Sequence, residues 1–247
     1  MRGCVRFWVM VAAVFRREHH QRIAQVLSAL NGDLLRSQQC LFGGGTAIAL
    51  RYGEYRESVD IDFLVSDISC YRSIRQLLAG PEGLAAIVAD GARALNQGSE
   101  MRMDQYGIRT RIEVDGQPIK FEIVFEARMQ LDPAKDTDAL CGISTLSVRD
   151  MAASKLLANS DRWRDESVFN RDLIDLAMMR LPLPVLRAAM LKAETAYGRS
   201  VREDLAAALG KVQSQKAWLE RCMQVMAVQG PKALVWQRIR ALHRILK

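Results

Sequence analysis

The stretch from Gly43 to Asp67 places the tightest limits on how this chain can fold. It begins with three consecutive glycines that run directly into a helical pattern, and it ends in a short apolar run that contains Asp60 and Asp62. Successive side chains of a β-strand point to opposite faces, so these two aspartates would share one face and the apolar residues between them the other. The sequence therefore predicts a glycine turn, a helix and a strand in close succession.

Two carboxylates placed two residues apart on a strand can hold a hard divalent cation. The Cα atoms of Asp60 and Asp62 would lie about 6.6 Å apart, which allows both side chains to converge on one or two ions. The glycines let backbone N–H groups approach a phosphate at a helix N-terminus, where the helix dipole favours an anion. The pattern indicates a site for a nucleoside triphosphate (NTP) with Mg²⁺, or with Mn²⁺ in its place.

Two motifs in this stretch resemble those of a known enzyme family. The sequence Gly44-Gly45-Thr46-Ala47, followed by Arg56-x-Ser58-x-Asp60-x-Asp62, is similar to the first two motifs of the AbiEii/AbiGii toxin-type nucleotidyltransferases. That family belongs to the polymerase-β-like nucleotidyltransferase superfamily and includes the MenT-like toxins. The resemblance covers about residues 38–176. It implies that Gly44, Gly45 and Thr46 orient phosphate, and that Asp60 and Asp62 bind metal.

A hairpin signal further along suggests where a third carboxylate lies. Two alternating strands, 108–114 and 119–125, flank the turn pair Asp115-Gly116. If Phe121 and its alternating apolar neighbours are buried, Glu122 faces the other way. The resemblance implies a third catalytic metal ligand from such a strand, and Glu122 is the matching position, although the family more often has Asp there. The alternatives are Glu113, Glu126, or a Glu122 that only faces solvent or pairs with Lys120.

The resemblance implies further roles downstream. Ser147-x-x-Asp150 is a capping box that opens a helix bearing Lys155, and Asn170–Leu176 matches the family's next helical motif. By this likeness Lys155 would neutralise phosphate charge and Asp172 would lie near the reacting centre as a candidate base. The alternative for the second motif is an ordinary i, i+4 pair of Arg171 with Asp175.

Arg56 has two interpretations. It precedes Asp60 by four residues, so it could contact the triphosphate or form an ion pair with one of the carboxylates. The motif favours the phosphate contact. His19 and His20 are predicted to lie on an exposed face, and with His243 as the one other histidine, a histidine-based site is not expected.

Charge and composition narrow the class of partner. Residues 180–247 contain 13 Lys and Arg but 4 acidic residues, within a chain of net charge +7. Such a segment indicates either a polyanionic substrate or a solvated helical face. The five scattered cysteines favour neither a zinc site nor a disulfide framework, and they fit a reducing cytoplasm. The apolar run 7–15 is too short to span a membrane. It is predicted to begin a helix that packs on the domain, and the alternative is that it results from an upstream translation start.

These observations predict an α/β (α+β) nucleotidyltransferase fold with a small mixed sheet. The apolar periodicity and the Gly and Pro positions predict helices that include 16–30, 33–39, 69–80, 82–95 and 200–227. The predicted segments are an N-terminal helical segment at 1–37, a catalytic domain at 38–180 and a basic helical region at 181–247. The resemblance implies a cytoplasmic toxin that transfers a nucleoside monophosphate (NMP) from an NTP to a tRNA 3′ end and has a cognate antitoxin. Two alternatives are an enzyme that modifies a protein or small molecule, and a non-catalytic nucleotide- or RNA-binding module.

Overall fold

The computed structural model describes residues 15–215 and 217–247, which form two compact units. The sheet unit contains the described residues through Glu54 together with Ser58–Ser147. The helical unit contains Tyr55–Glu57 and Val148–Lys247. The packing divides the chain after Ser147, because the helix Val148–Arg162 packs against later helices. The predicted segment boundaries at 37 and 180 stay predictions. The prediction for residues 7–15 lies almost wholly outside the described residues.

Two short helices precede the glycine turn, as predicted. Helix α1 (Glu18–Ala29) buries a stripe that includes Ile23 and Leu27. Helix α2 (Gly32–Ser37) begins where the side chain of Asn31 accepts a hydrogen bond from the amide of Leu34, which satisfies one of the free donors of the first turn.

The motif region folds as strand, helix, strand, helix. Strand β1 (Leu41–Phe42) leads through Gly43 into helix α3 (Gly44–Arg51), and strand β2 (Asp60–Val65) pairs antiparallel with β1. Helix α4 (Ile68–Ala79) begins at Asp67, whose carboxylate accepts the amide hydrogen bond of Cys70. It buries Tyr71, Ile74 and Leu78, which share one helical face.

The predicted hairpin forms the centre of a mixed sheet. Strands β3 (Asn96–Gln97) and β4 (Arg102–Met103) pair with β5 (Gly107–Val114), which runs antiparallel to β6 (Gln117–Phe125). The two-residue turn at Asp115-Gly116 has positive φ at both positions, +52° and +71°, which is the hairpin turn that such a pair favours. Strand β6 pairs parallel with β2, so the sheet order is β1-β2-β6-β5-β3. The predicted α/β class is confirmed.

One predicted helix is absent from the sheet unit. The sequence pattern predicted a helix over 82–95, but the structure has a short 3₁₀ helix at Gly83–Ile87 and then extended chain. The backbone there hydrogen-bonds to the end of α1: the amide of Ala89 donates to the carbonyl of Ala29, and that of Asn31 to Ile87. These bonds replace those of a longer helix. A small ribbon, β7 (Ala139–Leu140) with β8 (Ile143–Ser144), completes the unit.

The helical unit contains the predicted downstream helices. They are α5 (Val148–Arg162), α6 (Arg171–Met178), α7 (Leu183–Tyr197), α8 (Ser200–Ser214), α9 (Trp218–Val225) and α10 (Lys232–Ala241). The sequence predicted one helix over 200–227, but the chain leaves the helical conformation at Gln215. The break allows the buried Trp218 to donate its indole N–H to Asn170 at 2.6 Å. Within the described part of the chain, no helix is long and apolar enough to cross a membrane.

Candidate active site

The glycine turn lies directly against Asp62. The amide of Gly43 donates to the carbonyl of Asp62 at 2.8 Å. Gly44 has a φ of +67°, and a Cβ added there would lie 2.3 Å from Oδ2 of Asp62. Only glycine fits this position, because a side chain would be strained and would also strike the carboxylate. The partly exposed Gly44 and Gly45 open helix α3, whose first amides have no acceptor within the helix. The N-terminus of α3, which is predicted to bind phosphate, thus adjoins a carboxylate.

The predicted metal ligands share one face of the sheet. Asp60 and Asp62 alternate with the buried Ile61 and Phe63 along β2. In the parallel pairing with β6, Asp62 lies opposite Glu122, and Asp60 lies opposite Lys120. Phe121 is buried, so Glu122 faces the other way, as predicted, and it lies beside the strand that carries the two aspartates.

Glu122 already has two cationic partners in the structure. Lys120 Nζ lies 2.7 Å from its Oε2, and Arg109 Nε lies 3.3 Å from its Oε1. In the described residues, no three acidic, histidine or cysteine side chains are grouped closely enough to hold a metal ion. Asp60 and Asp62 stay the predicted donor pair, and Glu122 could join them only by leaving its cations. That it pairs with Lys120 is one of the alternatives raised by the sequence.

The two rival carboxylates lie elsewhere in the sheet unit. Glu113 is exposed on β5, where a Cβ at Gly98 would lie against its side chain. Glu126 follows β6 and is buried, and Arg128 donates to both of its carboxylate oxygens. The sheet register pairs Glu113 with Pro118, whereas it places Glu122 directly opposite Asp62.

Thr46 faces inward from helix α3. Its side chain is buried, and its hydroxyl lies 2.8 Å from the hydroxyl of Ser58. The prediction that Thr46 orients phosphate can therefore apply only to its backbone amide or to an indirect effect through Ser58. Ser58 is connected in turn to His20, which is fully buried rather than exposed as predicted. An α-helical pattern does not show which face of α1 contacts Glu54 and Ser58, so this contact could not be predicted from the sequence.

The helical unit contains a buried cluster of charges. Asp175 is fully buried and accepts hydrogen bonds from Arg56 Nε at 2.6 Å, Arg56 Nη2 at 2.9 Å and the hydroxyl of Tyr55 at 2.5 Å. Lys155 Nζ lies 2.8 Å from both Asp172 and Asp175. Arg162 donates to both oxygens of Asp172.

This cluster alters three expectations. The guanidinium of Arg56 is buried against Asp175, so it forms an ion pair, although with a different carboxylate from those the sequence suggested. Lys155 neutralises Asp172 and Asp175, and in this arrangement it is not free for phosphate. The expected i, i+4 pair of Arg171 with Asp175 is wrong, because Asp175 points to Arg56 and Lys155.

The cluster keeps both aspartates ionised. Burial alone would raise the pKa of Asp172, but the adjacent Lys155 and Arg162 outweigh it and hold that pKa far below its usual value. The pKa of Asp175 is likewise lowered, because Arg56 and Lys155 outweigh its burial. A carboxylate with a strongly lowered pKa accepts a proton poorly, so this geometry does not favour Asp172 as a general base.

Two cations in these networks were missed by the sequence analysis, although signals existed for both. A two-residue hairpin turn fixes the strand register, and that register places Arg109 opposite Glu122. Arg162 lies seven residues after Lys155 in α5, and residues at that spacing share a helical face.

The chain was compared with known proteins. The family model described as nucleotidyl transferase AbiEii toxin, type IV toxin–antitoxin (TA) system, matches residues 25–242. The comparison with curated proteins found no match. Helicobacter pylori JHP933 has a similar fold, with a TM-score of 0.53 at 15% identity over 94% of each chain. A nucleotidyltransferase candidate from H. pylori has a TM-score of 0.48 at 16% identity, over 92% of this chain and 94% of its own.

The family match covers most of the chain, including the glycine turn, both strands that carry the acidic residues and the buried charge cluster. It agrees with the motifs from which the resemblance was drawn, and the nucleotidyltransferase activity predicted from them is confirmed at the level of the family. The chain belongs to the AbiEii nucleotidyltransferase toxin family of type IV toxin–antitoxin systems.

Proposed function

We propose that this protein is a Mg²⁺-dependent nucleotidyltransferase that transfers an NMP from an NTP to the 3′ end of a tRNA. The observation that carries the proposal is the contact between the glycine turn and Asp62, on the strand face shared with Asp60. This contact supports the proposal because amides at the start of a helix, which can bind phosphate, lie next to a carboxylate. In the reaction, the acceptor hydroxyl oxygen bonds to the α-phosphorus and gives up its proton to water, while the bond from that phosphorus to the leaving oxygen breaks and its electron pair departs with pyrophosphate.

The carboxylates fit a hard cation. Asp60 and Asp62 offer oxygen donors, which Mg²⁺ and Mn²⁺ prefer, and the lack of a side chain at Gly44 leaves room for a ligand next to Asp62. When bound, the cation would supply Lewis-acid stabilisation of charge on the triphosphate. The amides of Gly44 and Gly45 would hold phosphate oxygens at the start of α3. Glu122 would contribute as a third ligand only after separation from Lys120 and Arg109.

Features of the helical unit support a polyanionic acceptor. Three arginines, Arg180, Arg238 and Arg244, line a cavity of about 430 Å³, and none of them pairs with a carboxylate of the described residues. Burial and the neighbouring Arg180 lower the pKa of Arg238, as expected for cations brought together without an anion. Phosphate groups of an RNA would neutralise them. A tRNA acceptor would place the enzyme in the cytoplasm, and the family implies that a cognate antitoxin restrains it.

The direct test is incorporation of each α-labelled NTP into total tRNA with Mg²⁺. We expect label in tRNA with the wild-type protein and its loss with Asp60→Ala and with Asp62→Ala. Glu113→Ala is the matched control, because it removes a carboxylate from the same sheet away from the pair, and its activity should match the wild type. Omission of Mg²⁺ with added EDTA should also abolish labelling, and Mn²⁺ should restore it.

Three outcomes would contradict parts of the proposal. Label in protein or in a small molecule but not in RNA would refute the tRNA acceptor and leave the enzyme class intact. Equal activity of the Asp60→Ala protein would refute the assigned carboxylate pair. Labelling that persists in EDTA would refute the metal dependence.

A further inference from the structure

The first helix of the sheet unit buries a histidine that the nucleotidyltransferase motifs do not include. His20, in α1, has no solvent exposure. Its Nδ1 lies 2.9 Å from Oε1 of Glu54, and its Nε2 accepts the backbone N–H of Ser58 at 3.2 Å. The hydroxyl of Ser58 lies 2.8 Å from that of Thr46 in helix α3. One continuous series of polar contacts therefore runs from Glu54 to the helix that follows the glycine turn.

These contacts define the protonation of the ring. A nitrogen that accepts an N–H bond carries a lone pair, so Nε2 of His20 is unprotonated. The proton of the neutral ring is then on Nδ1, where it is donated to the Glu54 carboxylate. The Glu54 carboxylate thus fixes the tautomer of His20. In that tautomer Nε2 can accept the backbone N–H of Ser58, because the hydrogen bond of one ring nitrogen sets the protonation of the other.

Glu54 is held firmly enough to serve this role. Its carboxylate also accepts the backbone amides of Arg16, at 2.8 Å, and Arg17, at 3.2 Å, just before α1 begins. Burial would raise the pKa of Glu54, but these amides and His20 outweigh it, so the pKa is lowered and the group stays ionised. Its backbone has a φ of +56°, a conformation that is strained for a residue with a side chain and that clusters at functional sites.

We propose that the Glu54–His20 pair is a positioning device for the nucleotide site, acting through the amide of Ser58. Ser58 precedes the metal-binding pair by two residues, and its hydroxyl contacts Thr46, two residues after Gly44. The pair therefore fixes the chain between the phosphate-binding glycines and the carboxylates. The inference rests on the proposed function. His20 touches no substrate, so it is a positioning residue and not a catalytic one.

Two substitutions of His20 each keep one hydrogen bond of the ring and remove the other. In His20→Gln, the side-chain amide oxygen can reach the place of Nε2 and accept from Ser58, whereas the contact with Glu54 is lost. In His20→Asn, the amide nitrogen can take the place of Nδ1 and donate to Glu54, but nothing accepts from Ser58. Both changes remove a buried ring, so both should lower the melting temperature. His19→Gln is the control, because it replaces the adjacent, partly exposed ring, whose Nε2 lies 3.1 Å from the carbonyl of Val59, a contact that the glutamine amide can keep.

The first readout is hydrogen exchange of the Ser58 amide, which needs no activity. The amide should stay protected in the wild type, in His19→Gln and in His20→Gln, and exchange faster in His20→Asn. The second is titration of each of the four NTPs in the presence of Mg²⁺. His20→Asn should weaken NTP binding about tenfold, the effect of one hydrogen bond, and His20→Gln should bind within about threefold of the wild type.

The outcomes distinguish failure of the positioning role from failure of the proposed function. Equal weakening by Asn and Gln, or wild-type binding by His20→Asn, would overturn the positioning role, since a purely structural ring would affect both variants alike. If Ser58 exchange follows the predicted order but the wild type binds no NTP, the proposed function fails and the positioning role fails with it. Protection of Ser58 that does not depend on residue 20 would overturn the inference at its first step.

Discussion

Loss of the charge on Asp175 should strongly destabilise the helical unit. This carboxylate is fully buried and accepts from Arg56, Tyr55 and Lys155. In Asp175→Asn, Lys155 retains Asp172, but the buried guanidinium of Arg56 loses its one carboxylate partner among the described residues. Removing one member of a buried ion pair typically costs about 3–5 kcal/mol. We expect a loss of that size in the free energy of unfolding.

Urea denaturation followed by tryptophan fluorescence measures this loss where it occurs. Three of the four tryptophans, Trp163, Trp218 and Trp236, lie in the helical unit. Glu220→Gln is the matched control in the same unit, because its pair with Lys232 is largely exposed and worth about 0–1 kcal/mol.

A second substitution tests the cause. Adding Arg56→Met to Asp175→Asn removes the stranded guanidinium, so the double variant should be more stable than the sum of the single changes by about 0.5–3 kcal/mol. A loss below about 1 kcal/mol in Asp175→Asn, or strict additivity in the double variant, would refute the account of the cluster as a mutually neutralised network.

Three further predictions follow from the same structure. Asp172 and Asp175 have lowered pKa values in the folded protein, so they contribute stability that is present above the unfolded pKa of about 3.9 and lost as pH falls below it. The urea midpoint should therefore drop between pH 5 and 3, and the drop should be less steep in Asp175→Asn. Gly44→Ala should abolish nucleotidyl transfer, because the added Cβ would strike Asp62. Gly53→Ala is the control: Gly53 has a φ of +86° but open space around it, so this variant should lose stability and keep activity. An active Gly44→Ala enzyme would contradict the close contact between Gly44 and Asp62. Gly116→Ala should cost about 1 kcal/mol, because alanine is strained at its positive φ, and unchanged thermal unfolding would contradict the turn assignment.

Local patterns were sufficient to predict much of the fold and part of the site. Alternation along β2 placed Asp60 and Asp62 on one face, and the Asp115-Gly116 turn predicted the hairpin that the structure confirms. The turn also fixed the register from which Glu122 faces outward. The prediction of a helix over 82–95 is wrong, because backbone groups near Ala89 hydrogen-bond to the end of α1 instead. This contact joins segments about 60 residues apart in the sequence. The roles assigned to the site residues stay predictions.

The sequence by itself determined the elements of the motif region and the hairpin, the shared strand face of Asp60 and Asp62, and the family, because each depends on spacing within a short stretch of chain. Tertiary structure alone decided the partners of the charged groups. Arg56 pairs with Asp175, 119 residues away, and His20 reaches Ser58 across 38 residues. A buried charge is neutralised by a group that the fold brings within a few ångströms of it. The spacing of two residues in the sequence does not predict that distance.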